Sequence, residues 1–169
     1  ILVRSSEGLG GMSRAMHRLV LDRLILPNWS DADPYQPPIL LNSWEAKYFN
    51  VNHVGLVDMA RQAKRIGADL LVLDDGWFGL RSDEKSSLGD WVPNLVKFPH
   101  GLDGLAREIN DVGVKFGIWV EPEMVSESSV LYQTHPDWCL YAPGRARQMG
   151  RHQLVQSGEG LRIICHANL

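Results

Sequence analysis

The chain has 169 residues, with 17 Lys and Arg against 20 Asp and Glu for a formal net charge of −3, and it is 44% hydrophobic and 22% charged. That balance belongs to a globular protein and excludes disorder, and no run nears the roughly 18 apolar residues that a membrane span needs. Near-neutral charge removes the general electrostatic case for a nucleic-acid partner. Length alone suggests one domain of about 100–200 residues.

The chain opens on Ile1 rather than Met, and ILVRSSEGLGG has neither the basic start nor the apolar core of a secretory signal. The start therefore reads as cut or processed, and the compartment stays undetermined. After Gly10-Gly11, the residues Met12, Ala15, Met16, Leu19 and Val20 recur at helical spacing, with Pro27 as a stop. The next stretch, Asn28 to Pro38, is rich in Asp and Pro and has the composition of a linker or domain boundary. It includes Asn28-Trp29-Ser30, a glycosylation sequon relevant only to a secreted protein.

A regular alternation follows. Ile39-Leu40-Leu41 is an apolar run; Leu56, Met59, Ala60, Ala63 and Ile66 mark a helix face ending near Gly67; Leu70-Leu71-Val72-Leu73 is a second run. Leu102, Leu105, Ala106, Ile109 and Val112 mark another helix ending at Gly113, before the run Phe116 to Val120. Strand, helix, strand, helix, strand with uninterrupted apolar strands predicts a parallel sheet covered on its faces, and hence an α/β fold.

Each predicted strand runs into similar chemistry: Asn42-Ser43-Trp44-Glu45, Asp74-Asp75-Gly76-Trp77, and Trp119 followed by Glu121-Pro122-Glu123. In parallel α/β folds ligands bind at the carboxyl ends of strands, so tryptophans and carboxylates should pool in one cleft. Sugar suits that pairing, since its C–H face can lie on an indole while its hydroxyls donate to carboxylates. Adjacent Asp74 and Asp75 would point oppositely along an ideal strand, but a backbone bend at the strand end lets both reach the mouth. Against this stands ordinary packing for the tryptophans and turn capping for Glu121 and Glu123, which weighs evenly with a functional role.

A metal held by Asp74, Asp75 and Glu121 ranks below sugar, because no ligand-spacing signature accompanies them. The six histidines form no paired motif and most of them read as surface or turn residues, and Cys139 and Cys165 read as small buried apolar residues. Arg145, Arg147 and Arg151 form a basic cluster that is either a solvated loop or the source of one guanidinium entering the mouth. Nucleophile elbows, P-loops and dinucleotide fingerprints are missing from the sequence, so phosphoryl and hydride transfer lack support.

Six ordered segments, PPILLNSWEAKYF, LLVLDDGWFG, SLGDW, KFGIWVEPEM, HPDW and PGRARQMGRHQLV, closely resemble α-galactosidases of glycoside hydrolase family 36. The resemblance runs from about Gly8 to Val155. It implies a (β/α)8 TIM barrel preceded by a β-sandwich, of which this chain would hold a partial barrel of about three strands and their helices. Residues 1–30 would then be a junction helix after a missing β-sandwich, 31–155 the first part of the catalytic barrel, and 156–169 a non-matching tail that reads as an alternative or artefactual terminus.

Position by position, the resemblance implies that Trp44 walls the galactose pocket, that Asp74 and Asp75 hydrogen-bond galactose hydroxyls, and that Trp119 is a second pocket tryptophan. It selects Arg151 from the arginine cluster as a contact to the site, and gives Glu121 and Glu123 no direct role. Neither cofactor nor metal is implied. The partner would be an α-galactoside oligosaccharide, with a homo-oligomer as a candidate state of the full-length protein. Retaining hydrolysis needs two carboxyl groups about 5–5.5 Å apart. The family supplies the nucleophile from a Lys-x-Asp motif on a fourth strand and the acid/base near a sixth, and neither motif occurs in this sequence. The expectation is thus a chain of a retaining α-galactosidase that is inactive alone, set against galactosyl transfer of the raffinose-synthase type and a noncatalytic galactose-binding module. Three strands of eight would leave unpaired sheet edges, so such a piece is expected to aggregate or remain molten.

Overall fold

The computed structural model describes residues 4–24, 38–140, 142–145, 149–150 and 153–155. The chain divides into two compact units at Pro37/Pro38. In the first, helix α1 spans Gly8–Leu19 and continues as a π-helical turn over Val20–Leu24. The helix starts ahead of Gly10-Gly11, so both glycines lie within it, and Gly11 is its buried residue. Leu9, Leu21 and Leu24 are exposed. An exposed Arg14–Glu7 ion pair of 2.9 Å sits near the start of the helix, where solvent screening leaves it little weight.

The second unit runs β1 (Leu40–Asn42), α2 (Trp44–Lys47), α3 (His53–Arg65), β2 (Leu70–Leu73), α4 (Gly101–Asp111) and β3 (Lys115–Ile118). The three strands form a parallel sheet in the order β1-β2-β3, with Leu40 opposite Leu70 and Leu70 opposite Lys115. This is the α/β alternation read from the sequence. Further on, β4 (Met124–Val125), α5 (Val130–Thr134), β5 (Met149–Gly150) and β6 (Gln153–Val155) follow, with β4-β6-β5 forming a small antiparallel sheet. These strands of two or three residues sit on no continuous apolar run of the kind that marks β1, so the sequence does not show them.

Helix α3 begins where the Asn52 side chain accepts the Gly55 N–H at 2.9 Å, a capping bond for one of the unpaired donors of the first turn. It buries Leu56, Val57, Ala60 and Ala63. Both long helices of this unit end alike. Gly67 at φ +83° donates to the Lys64 carbonyl while Ala68 donates to Ala63, and Gly113 at φ +86° donates to Asn110 while Val114 donates to Ile109. These are Schellman closures, in which glycine takes the left-handed conformation that a Cβ would strain. In each, the residue after the glycine and its carbonyl partner are both buried apolar side chains.

Alternation along β2 places Leu71 and Leu73 on a fully buried face, against a core that includes Leu56, Ala60, Leu105 and Ile109. Leu70 and Val72, on the other face, are half-buried; Phe116 and Ile118 of β3, in register with Leu71 and Leu73, are half-buried on the core side. Two expectations from the sequence pattern are corrected. Ile66 is 74% exposed, because it is the C-cap of α3 and has left the helical path that would carry it onto the apolar face. Leu40 is 51% exposed and β1 starts after Ile39, because β1 has a neighbour on one side only among the described strands. No helix among the described residues is long and apolar enough to cross a membrane.

Candidate active site

The carboxyl ends of all three parallel strands open on one cavity of about 230 Å³. At the end of β1, the Asn42 side chain accepts the Trp44 N–H at 2.7 Å, turning the chain into α2. Trp44 then lines the cavity, its ring edge-on to Tyr48 and to Phe49 at 5.1 Å in each case. Buried Ser43 joins the first two strand ends, donating its N–H to Val72 and accepting the Asp74 N–H on Oγ, both at 3.0 Å.

At the end of β2, both aspartates line the same cavity. The bend that allows this comes at Gly76, which sits at φ +98° with its backbone so close to Phe49 that a Cβ would meet the Phe49 Cα at 3.0 Å. Asp74 is half-buried; its Oδ2 accepts from the Asn42 amide at 2.6 Å and its Oδ1 from the Asp75 N–H at 2.8 Å. Asp75 is only 6% exposed and is committed more deeply, to the guanidinium of Arg81. Arg81 Nε donates to Oδ1 at 2.9 Å and Nη2 to Oδ2 at 2.7 Å, a paired fork in which both charges are removed from water.

At the end of β3, Trp119 lines the cavity and its N–H donates to the Leu73 carbonyl at 2.8 Å. Its own carbonyl accepts the indole N–H of Trp77 at 2.9 Å. Trp77 itself is fully buried in the core, which corrects the reading that every strand-end tryptophan belongs to the cleft. Of the two glutamates that follow, Glu121 lines the cavity whereas Glu123 is exposed and does not. Arg151 and Arg147 lie outside the described residues, and Arg145 is exposed.

Arg81 and Lys97 are the groups that sequence reasoning missed. Lys97 donates from Nζ to the carbonyls of Phe49, Gly76 and Arg81 at 2.9, 2.7 and 2.9 Å, tying the turn after β2 to the segment after β1. Burial pushes its ammonium below the ordinary lysine range, with the Asp75 charge opposing that shift. Neither residue lies on a periodic face, and no spacing in the loop marks either as a partner of Asp75; an isolated Arg or Lys between strands reads as solvated.

Elsewhere, His53 departs from the surface reading: its side chain is 12% exposed and its Nε2 lies 2.7 Å from Glu108 Oε2, away from the cavity. Cys139 is buried as expected, while Cys165 lies outside the described residues. Among the described residues, no group of three His, Cys, Asp or Glu side chains is placed to hold a metal ion.

A family model described as Melibiase matches residues 1–159. Over 155 residues the chain is 52% identical to alpha-galactosidase AgaA of Geobacillus stearothermophilus, an alignment covering 92% of this chain and 21% of that protein. The crystal structure of that enzyme matches with a TM-score of 0.80 at 53% identity, over 88% of this chain and 20% of the other. A variant of AgaA solved in complex with raffinose matches with a TM-score of 0.79 at 52% identity, over the same shares. The chain thus spans about one-fifth of the length of the relatives it matches. The family match over residues 1–159 and this identity lead to one conclusion: the chain belongs to the melibiase family.

Proposed function

We propose that this chain supplies the galactose-binding wall of a retaining α-galactosidase, an enzyme that releases terminal α-linked galactose from oligosaccharides of the raffinose kind. The observation that carries the reading is that Trp44, Asp74, Asp75 and Trp119, drawn from three strand ends, line a single cavity. The indoles offer apolar faces for the C–H side of the ring, and the aspartates offer acceptors for its hydroxyls. In this reading residues 31–155 are the first three βα units of a (β/α)8 barrel, residues 1–30 a junction helix from a β-sandwich, and residues 156–169 a tail outside the barrel. The half-buried Leu70 and Val72 on the second face of β2 support it, since the interior side chains of a closed barrel would cover that face.

The chain alone is proposed to be catalytically silent. A retaining mechanism needs a nucleophilic carboxylate and a separate acid/base, and the Lys-x-Asp motif of the family is absent from the sequence. Replacing the matching segment of the Geobacillus enzyme by residues 8–155 of this chain tests both halves. The chimera should hydrolyse p-nitrophenyl α-D-galactopyranoside, release galactose first as the α-anomer and cleave raffinose, while the 169-residue chain releases no nitrophenol. A folded chimera without α-galactoside turnover overturns the function. Turnover by the chain alone, surviving controls for contaminating enzyme, overturns its incompetence.

A further inference from the structure

Asp75 lines the cavity yet spends most of its hydrogen-bonding capacity on the protein. Its Oδ1 accepts from Arg81 Nε at 2.9 Å and from the Gly76 N–H at 2.6 Å; its Oδ2 accepts from Arg81 Nη2 at 2.7 Å, with a longer contact of 3.2 Å to Nε. A carboxylate oxygen has two lone pairs, and the single hydrogen on Arg81 Nε goes chiefly to the nearer Oδ1, so Oδ1 is filled and Oδ2 keeps one position. Asp74 accepts one bond on each oxygen, from the Asp75 N–H and from Asn42, and so keeps one position on each. The two aspartates are therefore unequal hosts for a sugar. Asp74 has room for two hydroxyls and Asp75 for one.

Arg81 is in turn held from several sides. Its Nη1 donates to the Ser86 carbonyl at 2.8 Å, its own carbonyl accepts from Lys97 at 2.9 Å, and its guanidinium carbon lies 5.4 Å and 5.8 Å from the ring centres of Phe49 and Phe78. The side chain is only 4% exposed. A planar fork so fixed imposes its plane on the carboxylate it pairs with, which a rotating ammonium would not do.

We propose that Arg81 is a positioning residue of the pocket: its fork locks the Asp75 carboxylate so that a single acceptor, on Oδ2, is presented to one sugar hydroxyl. The inference rests on the galactose reading of the cavity and adds to it a selectivity device acting through one hydroxyl.

The test uses the folded chimera of the Geobacillus enzyme carrying residues 8–155 of this chain, titrated calorimetrically with galactose and with its 2-, 3-, 4- and 6-deoxy derivatives. Arg81→Lys should weaken galactose about tenfold or more, the scale of one hydrogen bond to a charged group. It should leave unchanged the affinity for one deoxy sugar, the same one to which Asp75→Asn is indifferent. A merely structural role would weaken every sugar alike, and that outcome overturns the proposal, as does an Arg81→Lys variant that binds galactose normally. A folded chimera with Arg81 intact that binds none of the sugars overturns the galactose reading and this inference together, whereas binding by that chimera with an indifferent Arg81 variant overturns the inference alone. Arg81→Gln serves as a harsher variant, and if it fails to fold, Arg81→Lys, which keeps a cation beside Asp75, carries the comparison.

Discussion

The two ends of the parallel sheet are built on different principles. Where α3 and α4 hand the chain back to β2 and β3, the same closure is used twice, with Gly67 and Gly113 at nearly the same φ and the same pair of carbonyl bonds. At the opposite end no device recurs. β1 leaves through the Asn42 side chain, β2 through a buried ion pair, and β3 through a carbonyl held by a core indole. The repeated end needs only to reverse the chain, so one economical turn serves both repeats. The varied end has to aim side chains at a shared cavity from three directions, and each loop solves that separately. Asp75 blurs the division, because it faces the cavity while one of the unit's buried charges depends on it.

That overlap gives the largest expected effect. Asp75→Ala leaves the Arg81 guanidinium buried without its counter-ion and should lower unfolding free energy by about 3 kcal/mol or more, read as a drop in denaturant midpoint. A loss within about 0.5 kcal/mol would mean that Asp75 serves the cavity alone and the two ends are cleanly separated. Next comes Lys97→Met, which strips a donor from three carbonyls at the varied end and should cost about 2 kcal/mol. Its loss should also loosen hydrogen-exchange protection around Gly76 while protection around Gly67 persists.

At the repeated end, Gly67→Ala should cost about 1 kcal/mol through backbone strain alone, since nothing lies within 4 Å of the added Cβ. Gly113→Ala should cost a similar amount, because its nearest neighbour is the flexible end of Lys64. Galactose affinity should be untouched by either; a change in sugar binding would show that the reversing turns also shape the cavity.

The slightest signal concerns pH. A lysine held below its ordinary pKa by burial binds its proton more weakly folded than unfolded. Between those two values the unfolded chain carries more protons, so stability rises with pH. The stability difference between wild type and Lys97→Met should therefore widen in the alkaline range just below the ordinary lysine pKa. A difference that stays flat or narrows there would show that Lys97 is not desolvated as described.

Legibility in the sequence followed this same divide. The helix faces and their glycine stops could be read because a repeat of 3.6 residues and a left-handed turn are local properties of the chain. So could the acids and tryptophans at the strand ends, since a strand's end is found once the strand is found. The pairing of Asp75 with Arg81 could not, because they stand six positions apart across an irregular loop and no period relates them. His53 and Glu108 meet only because α3 and α4 pack side by side, a tertiary fact with no trace in either segment. Trp77 was misassigned for the same reason: one position past the bend at Gly76, its direction depends on how the loop folds back.

The bond between the Trp77 indole and Trp119 has a consequence for redesign. It ends on the carbonyl of Trp119, so the anchor is indifferent to which side chain residue 119 carries. A smaller apolar group in place of that indole would change what the cavity admits and lose the edge-on contact with Trp91, while the backbone anchor stays. The atoms that line the cavity and the atom that holds the strand end in register belong to the same residue but are different atoms.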